Sequence, residues 1–159
     1  MKASGKNVSN RKKREKDNVL EKTRDIASDL SRLGSFDEIL EYLITYVTQT
    51  LEAERGSLFL HDPAAHQLYT RVALGNLSRE IRIDEQSGIA GWVFMNAEAT
   101  IVNSPYKDER FNKEVDERTG YQTKSIICVP IFSTGDIPIG VLQVLNKQTG
   151  RFTKADLAK

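Results

Sequence analysis

Disulfide chemistry is absent from this chain: Cys128 is its only cysteine, so no internal bridge can form, which fits a reducing cytoplasm. No apolar run approaches the ~18 residues of a membrane span. Residues 1–17 hold only Ala3 and Val8 as apolar residues beyond the initiator, so they lack the apolar centre of a signal peptide. Net charge is +1, which leaves no global basic field to recruit nucleic acid or an anionic membrane. The local exception, Arg11, Lys12, Lys13 and Arg14, has no interleaved aromatics and reads as a solvated linker.

Catalytic signatures are missing as well. There is no Walker loop, no GxSxG elbow and no HExxH. His61 and His66 flank a predicted turn without a second cysteine or HxxxH spacing nearby, so exposed turn residues are a better reading than a metal pair. Cys128 lies in the apolar run Ile126-Ile127-Cys128-Val129, where burial keeps a thiol protonated and inert. Acidic residues are plentiful, but none sits in an apolar setting that would raise its pKa.

What remains is enough chain for one domain with a core. Residues 1–15 read as a flexible basic linker. Residues 16–34 read as a helix with Val19, Thr23, Ile26, Leu30 and Leu33 spaced alternately four and three apart, a narrow seam of the a/d kind. Such a helix either joins a dimer bundle and continues into a neighbouring domain or packs on its own domain. Gly34 ends it, and Ser35-Phe36-Asp37-Glu38 restarts a helix with a capping box. Phe36, Ile39, Leu40, Leu43, Ile44, Val47 and Leu51 then form a broad apolar stripe facing a core.

After Ala53 the period changes to that of strands, predicted over 55–60 and 68–74 with a proline-containing turn between, and a short one over 80–83. Gly88-Ile89-Ala90-Gly91-Trp92-Val93-Phe94 reads as a short helix closing near Asn96, and Ile101-Val102 as a brief extended piece. Residues 103–123 are dense in charge and nearly free of aliphatics, and a loop of that length has a job or hides a helix. Strands over 125–132 and 137–145 form a hairpin about Ser133-Thr134-Gly135-Asp136, and Thr153 with Asp156 opens a terminal helix. The chain stops inside that helix, so an excised piece of a longer protein is expected. Helices first and adjacent strands afterwards argue for an α+β domain with an antiparallel sheet.

Two features point to a ligand. Small residues at Gly88-Ile89-Ala90-Gly91 open a helix whose free amides and dipole suit a phosphate. Asn112, Asp116, Thr119 and Thr123 supply donors and acceptors on one helix-and-turn lid, as a purine edge or ribose requires. As pattern alone, each has an ordinary reading too: short glycine-bounded helices are common, and charged segments are normally solvated.

The run from Asn103-Ser104-Pro105-Tyr106-Lys107-Asp108 through Tyr121-Gln122-Thr123 resembles the lid of cyclic-nucleotide-binding GAF domains. Ser125-Ile126-Ile127-Cys128-Val129-Pro130-Ile131 is similar to the strand that follows it. Asn146-Lys147, then Phe152 and Asp156, resembles that family's Asn-Lys…Phe-x-x-x-Asp-Glu signature, with Leu157 in place of the final acid. The resemblance spans Phe36 to the C-terminus. It implies a six-stranded antiparallel sheet flanked by helices, with a nucleotide between sheet and lid. The amides of Ile89 and Ala90 are expected at the cyclic phosphate, with Asn112 beside ribose and phosphate. Ser57, Asp116, Thr119 and Thr123 are expected around base and sugar.

In a cyclic-GMP-binding member the positions of Ala73 and Leu74 carry Phe-Asp. Their loss here removes an aromatic stack and a polar base reader, and favours cyclic AMP. The signature residues Asn146, Lys147, Phe152 and Asp156 are expected to be structural, with a lysine–acid ion pair. Bilin attachment, sulfoxide reduction and haem binding each need cysteines or a pocket histidine that this chain does not place. The resemblance thus implies a non-catalytic regulatory module without cofactor or metal. It is expected to signal as a homodimer, through its N- and C-terminal helices, to an output domain such as a nucleotide cyclase, diguanylate cyclase, phosphodiesterase or kinase. A ligand-free dimerisation module is the alternative.

Overall fold

The computed structural model describes residues 21, 23–26, 28, 29, 32, 34–74 and 80–158. The linker of 1–15 and its basic cluster lie outside the described residues, as do Val19, Leu30 and Leu33 of the seam and Lys159 at the end. Thr23 and Ile26 are helical. Among the described residues no helix is long and apolar enough to cross a membrane.

The capping box forms in full. Ser35 Oγ accepts the Glu38 amide at 3.2 Å, while Glu38 Oε2 accepts the amides of Ser35 and Gly34 at 3.0 and 2.8 Å. Helix α1 (Phe36–Thr50) follows. Its stripe is buried at Ile44 and continues to Leu51, but Phe36 is 65% exposed, so the core-facing part starts later than the apolar spacing implies.

Six strands then build one antiparallel sheet in the order β3-β2-β1-β6-β5-β4. They are β1 (Ala53–Asp62), β2 (Gln67–Ala73), β3 (Arg82–Asp84), β4 (Thr100–Val102), β5 (Ile126–Phe132) and β6 (Pro138–Lys147). Each lies within a few residues of its predicted place. The first and last strands meet at the centre, with Ser57 opposite Gln143. Strict alternation along β5 divides the core in two. Ile126 and Cys128 join Phe59, Leu68, Val141 and helix α2 (Gly88–Asn96) on one side. Ile127 joins Leu51, Val144 and Phe152, with Val47 of α1 packed against them. Gly56 lets α1 approach closely, since a Cβ there would run into Thr48 Oγ1.

The charged stretch 103–123 hides two pieces of structure: a 3-10 turn (Pro105–Lys107) and helix α3 (Glu114–Thr119), which ends on Gly120 at φ 66°. The terminal helix begins as a 3-10 turn (Asp156–Ala158). One expectation is corrected. His61 is not an exposed turn residue: it closes β1 half-buried, its ring centroid 4.4 Å from that of Phe94 and Nε2 2.6 Å from Glu85 Oε2. The longer β1 draws it into the sheet. His66 is exposed at the turn and reaches the other Glu85 oxygen at 3.1 Å.

Candidate functional site

A cavity lies between the sheet, the start of α2 and the lid of residues 103–123. Counted out through its open mouth, solvent included, the space is about 760 Å³. Three adjacent strands supply the floor: Arg55, Ser57 and Phe59 alternate from β1, Gln143 and Leu145 from β6, and Ile126 comes from β5. Ile81 and Ile83 form a side wall. Phe111, Val115 and Tyr121 bring apolar and aromatic surface from the lid.

Ser57, Ile89, Ala90, Asn112, Asp116, Thr119 and Thr123 all line this cavity. Ala73 and Leu74 are not among its lining residues. Ala73 sits across the β1–β2 ladder from Ser57, and the Leu74 amide donates to Gly56 O at 2.8 Å.

The polar end of the cavity is the N-terminus of α2. The first bond of that helix runs from the Gly91 amide to Ser87 O at 3.1 Å, so the amides of Gly88, Ile89 and Ala90 precede it. Ser87 takes the N-cap position yet makes no side-chain cap; its Oγ accepts Asn112 Nδ2 at 3.0 Å. Ile89 and Ala90 are only 3% and 4% exposed and line the cavity. The helix dipole adds positive potential at the same point. Gly91 permits this arrangement, because a Cβ there would lie 2.7 Å from Gln86 C and 2.9 Å from Glu85 O.

The lid is built around a buried acid. Asp116 is 6% exposed and accepts Thr123 Oγ1 on one oxygen at 2.7 Å. Its other oxygen accepts the Thr123 amide at 2.7 Å and the Tyr106 hydroxyl at 2.9 Å. That bond holds the Tyr106 proton more tightly than usual. Both carboxylate oxygens of Asp116, and the Thr123 hydroxyl, are therefore engaged within the lid. Thr119 is exposed and bonds Val115 O at 2.8 Å. Asn112 Oδ1 accepts the Glu114 amide at 2.9 Å, opening α3.

Gln143, Arg55 and Tyr121 were missed in the sequence. Gln143 carried a usable signal, as a lone amide at an inward position of an apolar strand between Val141 and Leu145. Arg55 and Tyr121 meet only in space: the guanidinium lies 3.7 Å from the ring centroid. The Tyr121 hydroxyl donates to Glu54 Oε2 at 2.9 Å. Burial and that bond push the Tyr121 pKa upward. Bonds from Asn146 and Tyr121 hold Glu54 below the usual carboxylate range.

The signature residues lie outside the cavity lining. Asn146 is 2% exposed and uses its whole amide. Oδ1 accepts the amides of Lys124 (2.6 Å) and Ser125 (3.3 Å), and Nδ2 donates to Glu54 Oε2 (3.0 Å) and Gln122 O (2.9 Å). Lys147 Nζ bonds Asp156 at 3.2 Å and Leu51 O at 3.0 Å. Phe152 is buried below that ammonium, 5.6 Å from ring centroid to Nζ. Burial pushes the Cys128 thiol pKa upward. Among the described residues no three His, Cys, Asp or Glu side chains gather to hold a metal.

Comparison with known proteins matches this architecture. The profile of the GAF domain family fits residues 35–158. The chain is 38% identical over 150 residues to a probable 3′,5′-cyclic phosphodiesterase of Caenorhabditis elegans, covering 87% of this chain and 20% of that protein. It is 34% identical over 160 residues to a dual 3′,5′-cyclic-AMP and -GMP phosphodiesterase of Drosophila melanogaster, covering 89% and 11%. A cGMP-specific 3′,5′-cyclic phosphodiesterase of Drosophila pseudoobscura pseudoobscura is 35% identical over 146 residues, covering 82% and 13%. The chain thus spans a fifth or less of the length of these curated relatives. A GAF domain from a phosphoenolpyruvate-protein phosphotransferase of Coxiella burnetii superposes with a TM-score of 0.77 at 18% identity, covering 89% of this chain and 84% of that one. At that identity the likeness is one of fold. The chain belongs to the GAF domain family.

Proposed function

We propose that this chain is a regulatory module that takes a cyclic nucleotide into the cavity between its sheet and its lid. The observation that carries the reading is the start of α2, where Ile89 and Ala90 are buried, line the cavity and have no side-chain cap from Ser87. Such a helix start favours a cyclic phosphate, while the lid and floor offer mixed polar and apolar surface to a base. The relatives are cyclic phosphodiesterases, and this chain matches only a small part of each. The role proposed for it is sensing rather than catalysis, with no metal or cofactor and no nucleic acid.

Cyclic AMP is the preferred nucleotide in this proposal, for a reason different from Ala73 and Leu74. Gln143 presents an amide from the cavity floor, and an amide pairs bidentately with adenine N6 and N7. Arg55, the side chain suited to guanine, has its guanidinium laid on Tyr121. Occupancy biases a homodimer through the helix of residues 16–34 and the C-terminal turn, in the cytoplasm, toward a linked cyclase, diguanylate cyclase, phosphodiesterase or kinase.

Thermal melts with each nucleotide test this reading. Cyclic AMP at ~100 times its Kd adds roughly 2.7 kcal/mol, and Gln143→Ala narrows the gap between cyclic AMP and cyclic GMP. Unmoved melting points at millimolar concentration of both nucleotides reject ligand binding and leave a ligand-free dimerisation module.

A further inference from the structure

One wall of the cavity is fastened differently from the rest. Tyr121 lies near the C-terminal end of the lid and lines the cavity. Two consecutive residues of β1 hold it: Glu54 accepts its hydroxyl at 2.9 Å, and Arg55 covers its ring at 3.7 Å. Glu54 Oε2 also accepts Asn146 Nδ2, so the receiving carboxylate is itself anchored.

The neighbouring fastenings are permanent by comparison. Asp116 and Asn146 are buried, and breaking their bonds strands buried partners without water. Glu54 is exposed and Tyr121 only half-buried, so when their bond opens both groups rehydrate. A single hydrogen bond to an exposed carboxylate and one cation–π contact are each weak. The lid therefore yields first at Tyr121.

We propose that Tyr121 is the latch of the lid: its release from Glu54 and Arg55 opens the cavity, and its return closes it, whether or not the cavity is filled. This rests on the cavity being the ligand site, but the latch is a property of the free chain and can be tested there. A latch closed in both states slows entry and exit alike. Its loss raises both rates and leaves Kd almost unchanged, whereas loss of a ligand contact raises Kd mainly through faster release.

The test uses Tyr121→Phe, which keeps the ring and removes the hydroxyl, with Glu54→Gln as a second variant of smaller effect. In the free protein, amide exchange measured by NMR is expected to rise roughly tenfold at Tyr121 and Gln122, a change of about 1.4 kcal/mol. Amides of Leu58 and Val141 in the central strands should keep their rates. With radiolabelled cyclic AMP, association and release should both accelerate in either variant, by up to about tenfold, and Kd should shift less than twofold in Glu54→Gln, whose residue lies outside the cavity lining. Unchanged exchange at Tyr121 and Gln122 overturns the latch, as does equal acceleration in the central strands, which marks Tyr121 as merely structural. Faster release with an unchanged association rate also overturns it, by making Tyr121 a ligand contact. Accelerated lid exchange in a chain that takes up no cyclic nucleotide supports the latch and rejects the nucleotide reading.

Discussion

Replacing Asn146 with alanine tests whether the signature asparagine is a structural hub. Its amide ties the lid exit at Gln122, Lys124 and Ser125 to β1 at Glu54, and its backbone is left-handed at φ 57°. Net worth is about 0.5–1.5 kcal/mol for each neutral bond. Glu54 is exposed and rehydrates, so its bond adds little. Ser125 is buried, and its stranded amide costs a further ~1–3 kcal/mol. Alanine also meets a left-handed backbone penalty of roughly 1 kcal/mol. These terms sum to about 3–7 kcal/mol, or a fall in Tm of at least roughly 6 °C.

Urea unfolding with a constant m-value measures this loss directly. Asn146→Gly separates its parts, because glycine removes the bonds without the left-handed penalty and should recover roughly 1 kcal/mol. A loss below ~1 kcal/mol for Asn146→Ala would refute the hub, since even one stranded buried amide exceeds that.

Thr119→Ala should leave the apo melting point nearly unchanged, because the residue is exposed and its hydroxyl bonds Val115 O and, at 3.4 Å, the Tyr121 amide two residues on. Its cyclic-nucleotide Kd should rise roughly 3- to 10-fold by calorimetry, the worth of one hydrogen bond. The raised pKa values of Cys128 and Tyr121 give a signed pH dependence. The native state holds both protons where the unfolded chain has lost them, so this stability is full below the unfolded pKa values and declines as pH rises. Chemical melts should weaken above about pH 8.5 from Cys128 and above about pH 10 from Tyr121; Cys128→Ala should flatten the earlier decline, and a steeper one would contradict the assignment. The proposed dimer through residues 16–34 predicts that Leu30→Glu yields a monomer by light scattering. A persisting dimer moves the interface elsewhere.

The element order, the capping box at Ser35 and Glu38, the glycine-opened helix at Gly88 and the strand pair over β5 and β6 were all legible from spacing. Each depends on neighbours close in sequence: a cap three residues away, an alternation of two, a glycine at a helix start. The residues lining the cavity were legible where a motif carried them, as with Asn112, Asp116, Thr119 and Thr123. What the chain could not disclose linearly was which polar groups spend their bonds on one another. Asp116 looked free until folding brought Tyr106 and Thr123 onto its oxygens. Tyr121 looked like one more lid residue until Glu54 and Arg55 met it from a strand 67 positions away at the Glu54 contact. Local chemistry specified the elements. The tertiary structure decided how their polar atoms are paired, because hydrogen bonds between distant segments depend on register and closure that no short window of sequence contains.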